Sequence, residues 1–199
     1  MILNSSLPNL GSTIRVHIDT EFTDFINRDL ISIGAAADNG DTFYGENSEF
    51  LRPWASTWVQ ENIYPLLDLE KFGMRRLELS ARLWSWIEEL PCDFVIITVD
   101  YAGDFELLHD LFQEDKHPKM LEWQNLKVTI YKTCDEHIKA LGGSGDDYDN
   151  LVRKVCANFD LSFMDYFIRT KETQHHALSD AKANREAWTA LVNNFGMPR

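Results

Sequence analysis

Apolar and polar residues alternate from residue 13 to residue 19, the first patterned segment of the chain. Ile14 and Val16 are apolar, whereas His17 and Asp19 are polar and fall on the opposite face. A period of two is typical of a β-strand, because successive side chains point to opposite sides of a sheet. The pattern therefore predicts a first strand with one apolar face and one polar face.

Two more strands are predicted close behind the first. Residues 30–37 form an apolar run, and residues 42–45 follow after a short polar segment. The Asn39-Gly40 pair between them is a strong hairpin signal, because these residues accept the positive φ angles of a tight turn. Three strands joined by such short loops predict an antiparallel meander.

Helices and two further strands are predicted in the rest of the chain. The apolar run at residues 93–99 is typical of a strand buried on both faces. The glycine-rich segment at residues 142–149 is predicted to be a surface loop, since it lacks the strand-to-helix context of a phosphate-binding loop. The other predictions are helices at residues 56–62, 73–90, 104–112, 132–141, 151–159 and 177–194, and a strand at residues 126–131. This order predicts an α/β fold with a five-stranded mixed sheet, its first three strands antiparallel, flanked by helices.

Length and composition favour one domain in residues 13–199, after a flexible lead-in at residues 1–12. The chain has 199 residues, 44% of them hydrophobic, which is enough for a sizeable core. Its apolar runs are too short to cross a membrane, and the N-terminus lacks the pattern of a signal peptide. The three cysteines are too dispersed for a disulfide framework or a zinc site. These features predict a protein of the reducing cytoplasm.

The net charge of −13 limits the classes of partner. Proteins that bind long nucleic-acid duplexes tightly are usually basic, because their affinity comes from neutralising phosphates. An acidic chain can still act on nucleic acid if bound metal ions supply the positive charge at the phosphate. The charge therefore predicts short contacts with any such substrate.

Acidic residues concentrate at the ends of two predicted strands. Asp19 and Glu21 share a face if the first strand continues, so both can reach one metal ion. Asp104 follows the strand at residues 93–99, and Asp100, which ends that strand, is the alternative. Hard divalent cations such as Mg²⁺ prefer oxygen ligands, and they would relieve the repulsion among the carboxylates.

A third cluster lies where the last helix is predicted to begin. His175 and Asp180 are five residues apart and flank that helix start. His176 is the alternative to His175, because it lies one helical turn before Asp180. A histidine beside a metal site can act as a general base near neutral pH. Together the three clusters indicate metal-assisted hydrolysis of a phosphodiester.

The three clusters resemble the exonuclease motifs of the DEDDh superfamily. The segments that carry the likeness are Asp19-Thr-Glu21, Asp104 and His175-x-Ala-Leu-x-Asp180. Within that superfamily the chain is most similar to small bacterial and phage 3′–5′ exoribonucleases. The resemblance implies a ribonuclease H-like fold and the release of 5′-mononucleotides from the 3′ end of single-stranded RNA.

The resemblance also implies roles for individual residues. Two Mg²⁺ or Mn²⁺ ions would bind at the carboxylates, and a histidine would activate the attacking water. The implied metal ligands are Asp19, Glu21, Asp104 and Asp180, and the implied general base is His175. The implied substrate contacts are Phe22, Thr23 and His176.

Two alternative functions stay open at this point. The same chemistry on single-stranded DNA or on short oligonucleotides is the first, because recognition of a 2′-hydroxyl depends on local geometry. A catalytically silent module that binds a nucleotide or a protein partner is the second. The six tryptophans and twelve phenylalanines also allow a homodimer interface besides the core.

Overall fold

The computed structural model describes residues 11–112 and 119–198. Residues 1–10 of the predicted lead-in lie outside the described residues. Ser12, the last residue of the predicted lead-in, is anchored next to β5. Its backbone N–H and its hydroxyl both donate to Asp93 Oδ2, at 2.7 and 3.1 Å. None of the described helices is both long and apolar enough to span a membrane.

A mixed sheet forms the centre of the protein, and within the described residues it has six strands. These are β1 (Thr13–Phe22), β2 (Leu30–Ala37), β3 (Thr42–Asn47), β4 (Gly73–Met74), β5 (Phe94–Val99) and β6 (Met120–Asn125). Their order across the sheet is β4-β3-β2-β1-β5-β6. The first three strands pair antiparallel, whereas β5 runs parallel to β1 and to β6. The predicted α/β class, the antiparallel meander and the mixed character of the sheet are confirmed.

Helices cover the sheet and extend beyond it. They are α1 (Thr57–Asn62), α2 (Leu69–Phe72), α3 (Arg76–Glu89), α4 (Ala102–Phe112), α5 (Leu126–Leu141), α6 (Gly145–Thr170) and α7 (Ala177–Phe195). Short 3₁₀ turns at Arg52–Trp54 and Tyr64–Leu66 flank α1. The main apolar core lies between one face of the sheet and helices α3 and α4. Helix α7 packs against β1 and β2, and a second apolar cluster joins it to α5 and α6.

The prediction of five strands was wrong at two places. The two-residue strand β4 lies inside the segment predicted as a helix at residues 73–90, and it adds a sixth strand at the edge. The strand predicted at residues 126–131 is the first part of α5, and the true strand, β6, precedes it. The Asn125 side chain causes this change, because it accepts the Val128 N–H and so caps the helix. Leu126 and Ile130 are then buried at helical spacing, which the β-branched composition of the segment had hidden.

The prediction of a surface loop at residues 142–149 was also wrong from Gly145 onward, where helix α6 begins. The Ser144 hydroxyl accepts the Asp147 N–H at 3.3 Å, and Asp147 Oδ2 accepts the Ser144 N–H at 2.9 Å. This reciprocal pair is a capping box, so α6 begins at Gly145 in spite of the glycines. The helix predicted at residues 151–159 is therefore the middle of a 26-residue helix.

Gly34 on β2 sets how closely α7 approaches the sheet. A Cβ placed on Gly34 would lie 2.2 Å from the Leu178 N and 2.3 Å from the Ala177 carbonyl carbon, both backbone atoms of α7. Gly34 is the register partner of Asp19 on β1. The absence of a side chain here therefore brings the N-terminus of α7 next to the first acidic cluster.

We expect Gly34→Ala to destabilise the protein by at least about 3 kcal/mol. Overpacking usually costs about 1–3 kcal/mol, and here the new methyl would collide with backbone, which cannot move aside as a flexible side chain does. The free energy of unfolding, measured by urea denaturation, tests this. Gly145→Ala is the matched control, because a Cβ at Gly145 meets nothing within 4 Å. Equal stability of the two variants would contradict the close-contact argument.

Candidate metal centre

Asp19 and Glu21 occupy the polar face of β1, near the end of the strand. They alternate with Ile18 and Thr20, which point to the other face of the sheet. Across β2, their register partners on the same face are Gly34 and Ser32. Both neighbours are small, and at Gly34 the backbone at the start of α7 packs directly against β2.

Asp100 and Asp104 reach the same place from β5. That strand is parallel to β1 and pairs directly with it. The C-terminal ends of the two strands therefore lie side by side, at the same end of the sheet. Asp100 follows the last residue of β5, and Asp104 belongs to the first turn of α4. The Asp104 side chain is only 2% exposed, and its Oδ1 accepts a short hydrogen bond from the Thr20 hydroxyl.

His175 and Asp180 approach from the opposite side, at the start of α7. Asp180 Oδ2 accepts the backbone N–H of His175 at 3.0 Å, which ties the preceding loop to the first turn of the helix. His175 has a φ of 62°, a left-handed conformation uncommon outside glycine. Its ring is exposed on the surface and stands perpendicular to the Trp58 ring on α1, with the ring centroids 5.0 Å apart.

The side chains form two groups of three that could each hold a cation. Asp19, Asp100 and Asp104 make one group, in which the candidate ligand atoms lie within 4.8 Å of one another. Glu21, His175 and Asp180 make the second group, whose candidate ligand atoms also lie within 4.8 Å of one another. The structure therefore brings together the four predicted carboxylates and His175. Asp100, which was the alternative to Asp104, lies beside it.

His176 lies apart from both groups. Its ring stacks on Tyr44 of β3, with the centroids 4.4 Å apart, and the side chain is half-buried. Burial lowers the pKa of His176, which favours the neutral imidazole. Its predicted contact with a substrate stays a prediction.

Phe22 and Thr23 lie directly after Glu21, but their surroundings differ. Phe22 is half-buried and packs at the margin of the main core, next to the rings of Phe25 and Tyr101. Thr23 is fully buried, and its hydroxyl donates to the Asn27 carbonyl at 2.7 Å. Thr23 therefore organises the loop after β1, and its predicted substrate contact, like that of Phe22, stays a prediction.

Burial and mutual repulsion raise the pKa of four of these carboxyl groups, those of Asp19, Glu21, Asp104 and Asp180. Burial is the largest cause at each residue. The pKa of Glu21 rises to about 8, with Asp180 and Asp104 as the repelling charges. The pKa values of Asp104 and Asp180 rise to about 7, and Asp100 adds to both shifts. The pKa of Asp19 is also well above its usual range, since it faces Asp104, Asp180 and Glu21.

The donor set fits divalent cations with a preference for oxygen. Among the ion pairs formed by the described residues, none joins a lysine or arginine to Asp19, Glu21, Asp104 or Asp180. Asp104 Oδ2 and Asp180 Oδ1 are buried and have no hydrogen-bond partner within this part of the chain. Buried carboxylate oxygens without a donor are costly unless a cation neutralises them. Mg²⁺ and Mn²⁺ match these hard oxygen ligands.

Sequence patterns did not reveal Thr20 or Trp58 as neighbours of the site. Thr20 lies between two predicted ligands, but its hydroxyl points to the opposite face and meets Asp104 only because α4 packs there. Trp58 is far from His175 in sequence, and only the fold brings α1 beside the loop before α7. The alternation within Asp19-Thr20-Glu21 was the one available signal for the orientation of Thr20.

Without divalent cations, we expect the free energy of unfolding to fall as the pH rises from about 4 to about 8. In this range the unfolded chain loses protons that folded Glu21, Asp104 and Asp180 still hold, because their folded-state pKa values are raised to about 8, 7 and 7. The folded state then binds more protons, and stability decreases with pH. Each pH unit between the folded and unfolded pKa of a group costs about 1.4 kcal/mol.

Urea denaturation in EDTA across this pH range measures the effect. Glu21→Gln should reduce the decrease, most clearly near neutral pH and above, where the native glutamate still carries a proton. A metal-free protein whose stability rises steadily from about pH 4 to about pH 8 would contradict the assigned electrostatics.

Comparison with known proteins gives a partial match. No family model matches the chain. Two curated proteins from different strains of Mycobacterium tuberculosis, both named 3′-5′ exoribonuclease, are each 32% identical to the aligned part. The alignment covers 37% of this chain and 54% of each of those proteins. The chain thus spans about half the length of the curated relatives it matches, and its similarity to them is limited to that part.

Proposed function

We propose that this protein is a divalent-metal-dependent 3′–5′ exonuclease that removes 5′-mononucleotides from the 3′ end of single-stranded RNA. The observation that carries the proposal is the convergence of Asp19, Glu21, Asp104 and Asp180 from three distant segments onto one edge of the sheet. In this proposal residues 13–199 are one exonuclease domain with a ribonuclease H-like arrangement. The names of the two similar mycobacterial proteins support the same class of reaction.

The carboxylates divide into two sets that suit two cations. Asp19 and Asp104, with Asp100 beside them, would hold one ion, and Glu21 and Asp180 would hold the other. Bound Mg²⁺ or Mn²⁺ would supply an activated water and stabilise the charge that develops on the leaving oxygen. The protein contributes a fixed set of oxygens, two of which are buried without any other partner among the described residues.

His175 is the group best situated to accept the proton of the attacking water. Its ring is exposed, whereas the ring of His176 is stacked on Tyr44. The hydrogen bond from its backbone N–H to Asp180 and the contact with Trp58 restrict its position. A base held near the nucleophile and free to release its proton to solvent suits a reaction that must be repeated for each nucleotide.

The choice of single-stranded RNA rests on the names of the similar proteins and on charge. A net charge of −13 disfavours long electrostatic contact with a duplex, whereas a short 3′ end needs few phosphate contacts. Single-stranded DNA is the competing substrate, because two-metal hydrolysis does not itself require a 2′-hydroxyl.

The deciding experiment incubates the protein with 5′-end-labelled RNA and single-stranded DNA of the same sequence. With Mg²⁺ or Mn²⁺, we expect the RNA to be shortened one nucleotide at a time from its 3′ end, and EDTA to abolish this. Faster shortening of the DNA would overturn the RNA assignment alone. No shortening of either strand with any of these ions would overturn the proposed function.

His175→Ala should lower kcat by about 10²–10⁴-fold, the usual contribution of a general base. We expect its free energy of unfolding and its Mn²⁺ affinity to change much less, because four carboxylates remain. His137→Ala is the matched control, since His137 is an exposed histidine on α5. If His176→Ala were inactive while His175→Ala kept normal turnover, the assignment of the base would be wrong.

Asp19→Ala and Asp180→Asn should both weaken Mn²⁺ binding and abolish activity. Each removes a carboxylate from one of the two groups, so isothermal calorimetry should register fewer or weaker sites. Asp165→Asn on α6 is the control, because it removes an exposed carboxylate of the same type from a different surface. Unchanged Mn²⁺ binding in Asp19→Ala would contradict the shared-ligand arrangement.

A further inference from the structure

Asp100 is a fifth carboxylate at the metal centre, in addition to the four that the sequence motifs predicted as ligands. Its candidate ligand atom lies within 4.8 Å of those of Asp19 and Asp104. Acidic side chains that lie near one another are not by themselves a cation site. Asp104 supplies independent evidence, because the residue is only 2% exposed and its Oδ2 has no hydrogen-bond partner among the described residues. A buried carboxylate oxygen in this state is costly unless a cation neutralises it.

The pairing of β1 with β5 brings Asp100 beside Asp19. His17 on β1 is the register partner of Thr98 on β5, and the Thr98 hydroxyl lies 3.0 Å from His17 Nδ1. These two side chains therefore point to the same face of the sheet. Asp19 and Asp100 follow two residues later on their segments, so the alternation of side chains puts both carboxylates on that face as neighbours.

Hydrogen bonds from neighbouring segments hold Asp100 and Asp104 in position. Asn125 Nδ2 donates to the Asp100 carbonyl oxygen at 3.3 Å, and Asn125 is itself fixed as the last residue of β6 and the cap of α5. The Thr20 hydroxyl donates to Asp104 Oδ1, which leaves Oδ2 of the same carboxylate for a cation. Ligands that are fixed beforehand lose little conformational entropy when a cation binds.

The Asp100 carboxylate makes no stabilising contact within the described part of the chain. No lysine or arginine there forms an ion pair with it, and no hydrogen bond there uses its side chain. Burial is the main cause of the raised pKa values of Asp19, Asp104 and Asp180, and the charge of Asp100 adds to each shift. Without a cation Asp100 therefore destabilises the fold, whereas with a cation it adds a third negative charge to the ligands.

We propose that Asp100 is a direct cation ligand, and that Asp19, Asp100 and Asp104 together bind a divalent cation before any nucleic acid arrives. The affinity of an oxygen-ligand site depends on the charge and the rigidity of its ligands. This group has three carboxylates, whereas the other group has only those of Glu21 and Asp180 beside a histidine. The assignment of the ligand depends on the donor atoms, and the use of its cation in hydrolysis rests on the proposed function.

Unequal occupancy of the two groups follows from this arrangement. A cation at the three carboxylates would be resident in the free protein, whereas a cation at Glu21 and Asp180 would bind more weakly and need oxygen ligands from a substrate phosphate. Loss of the Asp100 carboxylate should therefore raise the Mg²⁺ concentration that gives half-maximal shortening of RNA. The rate at saturating Mg²⁺ should change less.

Calorimetric titration with Mn²⁺, in the absence of nucleic acid, tests the ligand assignment. We expect two binding events in the wild-type protein, and Asp100→Asn should weaken the tighter one by at least about tenfold. Asp104→Asn should weaken the same event, and the double variant should lose less affinity than the two single losses combined, because both residues serve one ion. Asp180→Asn should act mainly on the weaker event.

Stability measurements separate the loss of a ligand from damage to the fold. Because Asp100 repels three neighbouring carboxyl groups, Asp100→Asn should raise the urea midpoint of the metal-free protein at neutral pH. The increase in midpoint that Mn²⁺ produces should be smaller in this variant than in the wild type, because its cation is bound less tightly. A midpoint below that of the wild type in EDTA would contradict the assigned repulsion.

A matched variant and a change of salt separate direct binding from a distant effect of charge. Asp110→Asn removes an exposed carboxylate on α4, outside both groups, and should leave Mn²⁺ affinity unchanged. The loss in Asp100→Asn should persist in 1 M KCl, where the Debye length is about 3 Å and distant charges are screened. Wild-type Mn²⁺ affinity in Asp100→Asn, or a loss that disappears in 1 M KCl, would overturn the assignment.

The wild-type measurements distinguish this inference from the proposed function. If the wild-type protein shortens RNA while Asp100→Asn keeps full Mn²⁺ affinity, the ligand assignment alone is overturned. If Mn²⁺ binding depends on Asp100 as expected but the wild-type protein shortens neither RNA nor single-stranded DNA, the proposed function is overturned and Asp100 stays a cation ligand.

Discussion

Repulsion among the clustered carboxylates is the constraint that packing in the rest of the structure must overcome. Asp19, Glu21, Asp104 and Asp180 would separate in a flexible chain, because each one raises the free energy of ionising its neighbours. They stay together because each is attached to an element fixed by apolar packing elsewhere. Burial of apolar side chains between the sheet and helices α3 and α4 stabilises the fold, and the repulsion among the carboxylates offsets part of this stabilisation. Sites that store such repulsion are common where a cation or a reaction must be accommodated.

Two backbone arrangements determine the geometry of this edge. The parallel pairing of β1 with β5 puts the ends of both strands side by side, which joins Asp19 to Asp100 and Asp104. The contact at Gly34 brings the start of α7 against β2, which joins Asp180 to Glu21. Neither arrangement involves a charged side chain. The acidic site is thus a consequence of hydrophobic packing and close backbone contact, and its chemistry can vary without a change of fold.

Local sequence patterns predicted most elements, and their failures have a common cause. The alternation in β1 and the apolar run of β5 are long and regular, so the bounds of β5 were predicted within one residue and those of β1 within three. The strand predicted at residues 126–131 failed because β-branched residues favour strands locally, whereas the cap at Asn125 and burial of one face favour a helix. The two-residue strand β4 carries no periodic signal at all and exists only because β3 offers it a partner. Side-chain caps and strand partners are contacts between specific atoms, and hydrophobic periodicity does not encode them.

By itself, the sequence determined the candidate chemistry of this protein. Three separated clusters of acidic residues and histidines, on segments with strand or helix patterns, indicated metal-assisted hydrolysis and gave a set of candidate residues for it. Tertiary structure alone decided how these residues combine: Asp100 lies beside Asp104, His175 lies at the site against Trp58, and His176 lies against Tyr44. The physical reason is that residue type fixes which atoms can bind a proton or a cation. Which of those atoms meet depends on strand register, on helix position and on the missing side chain of Gly34, all of which are set by packing between distant segments.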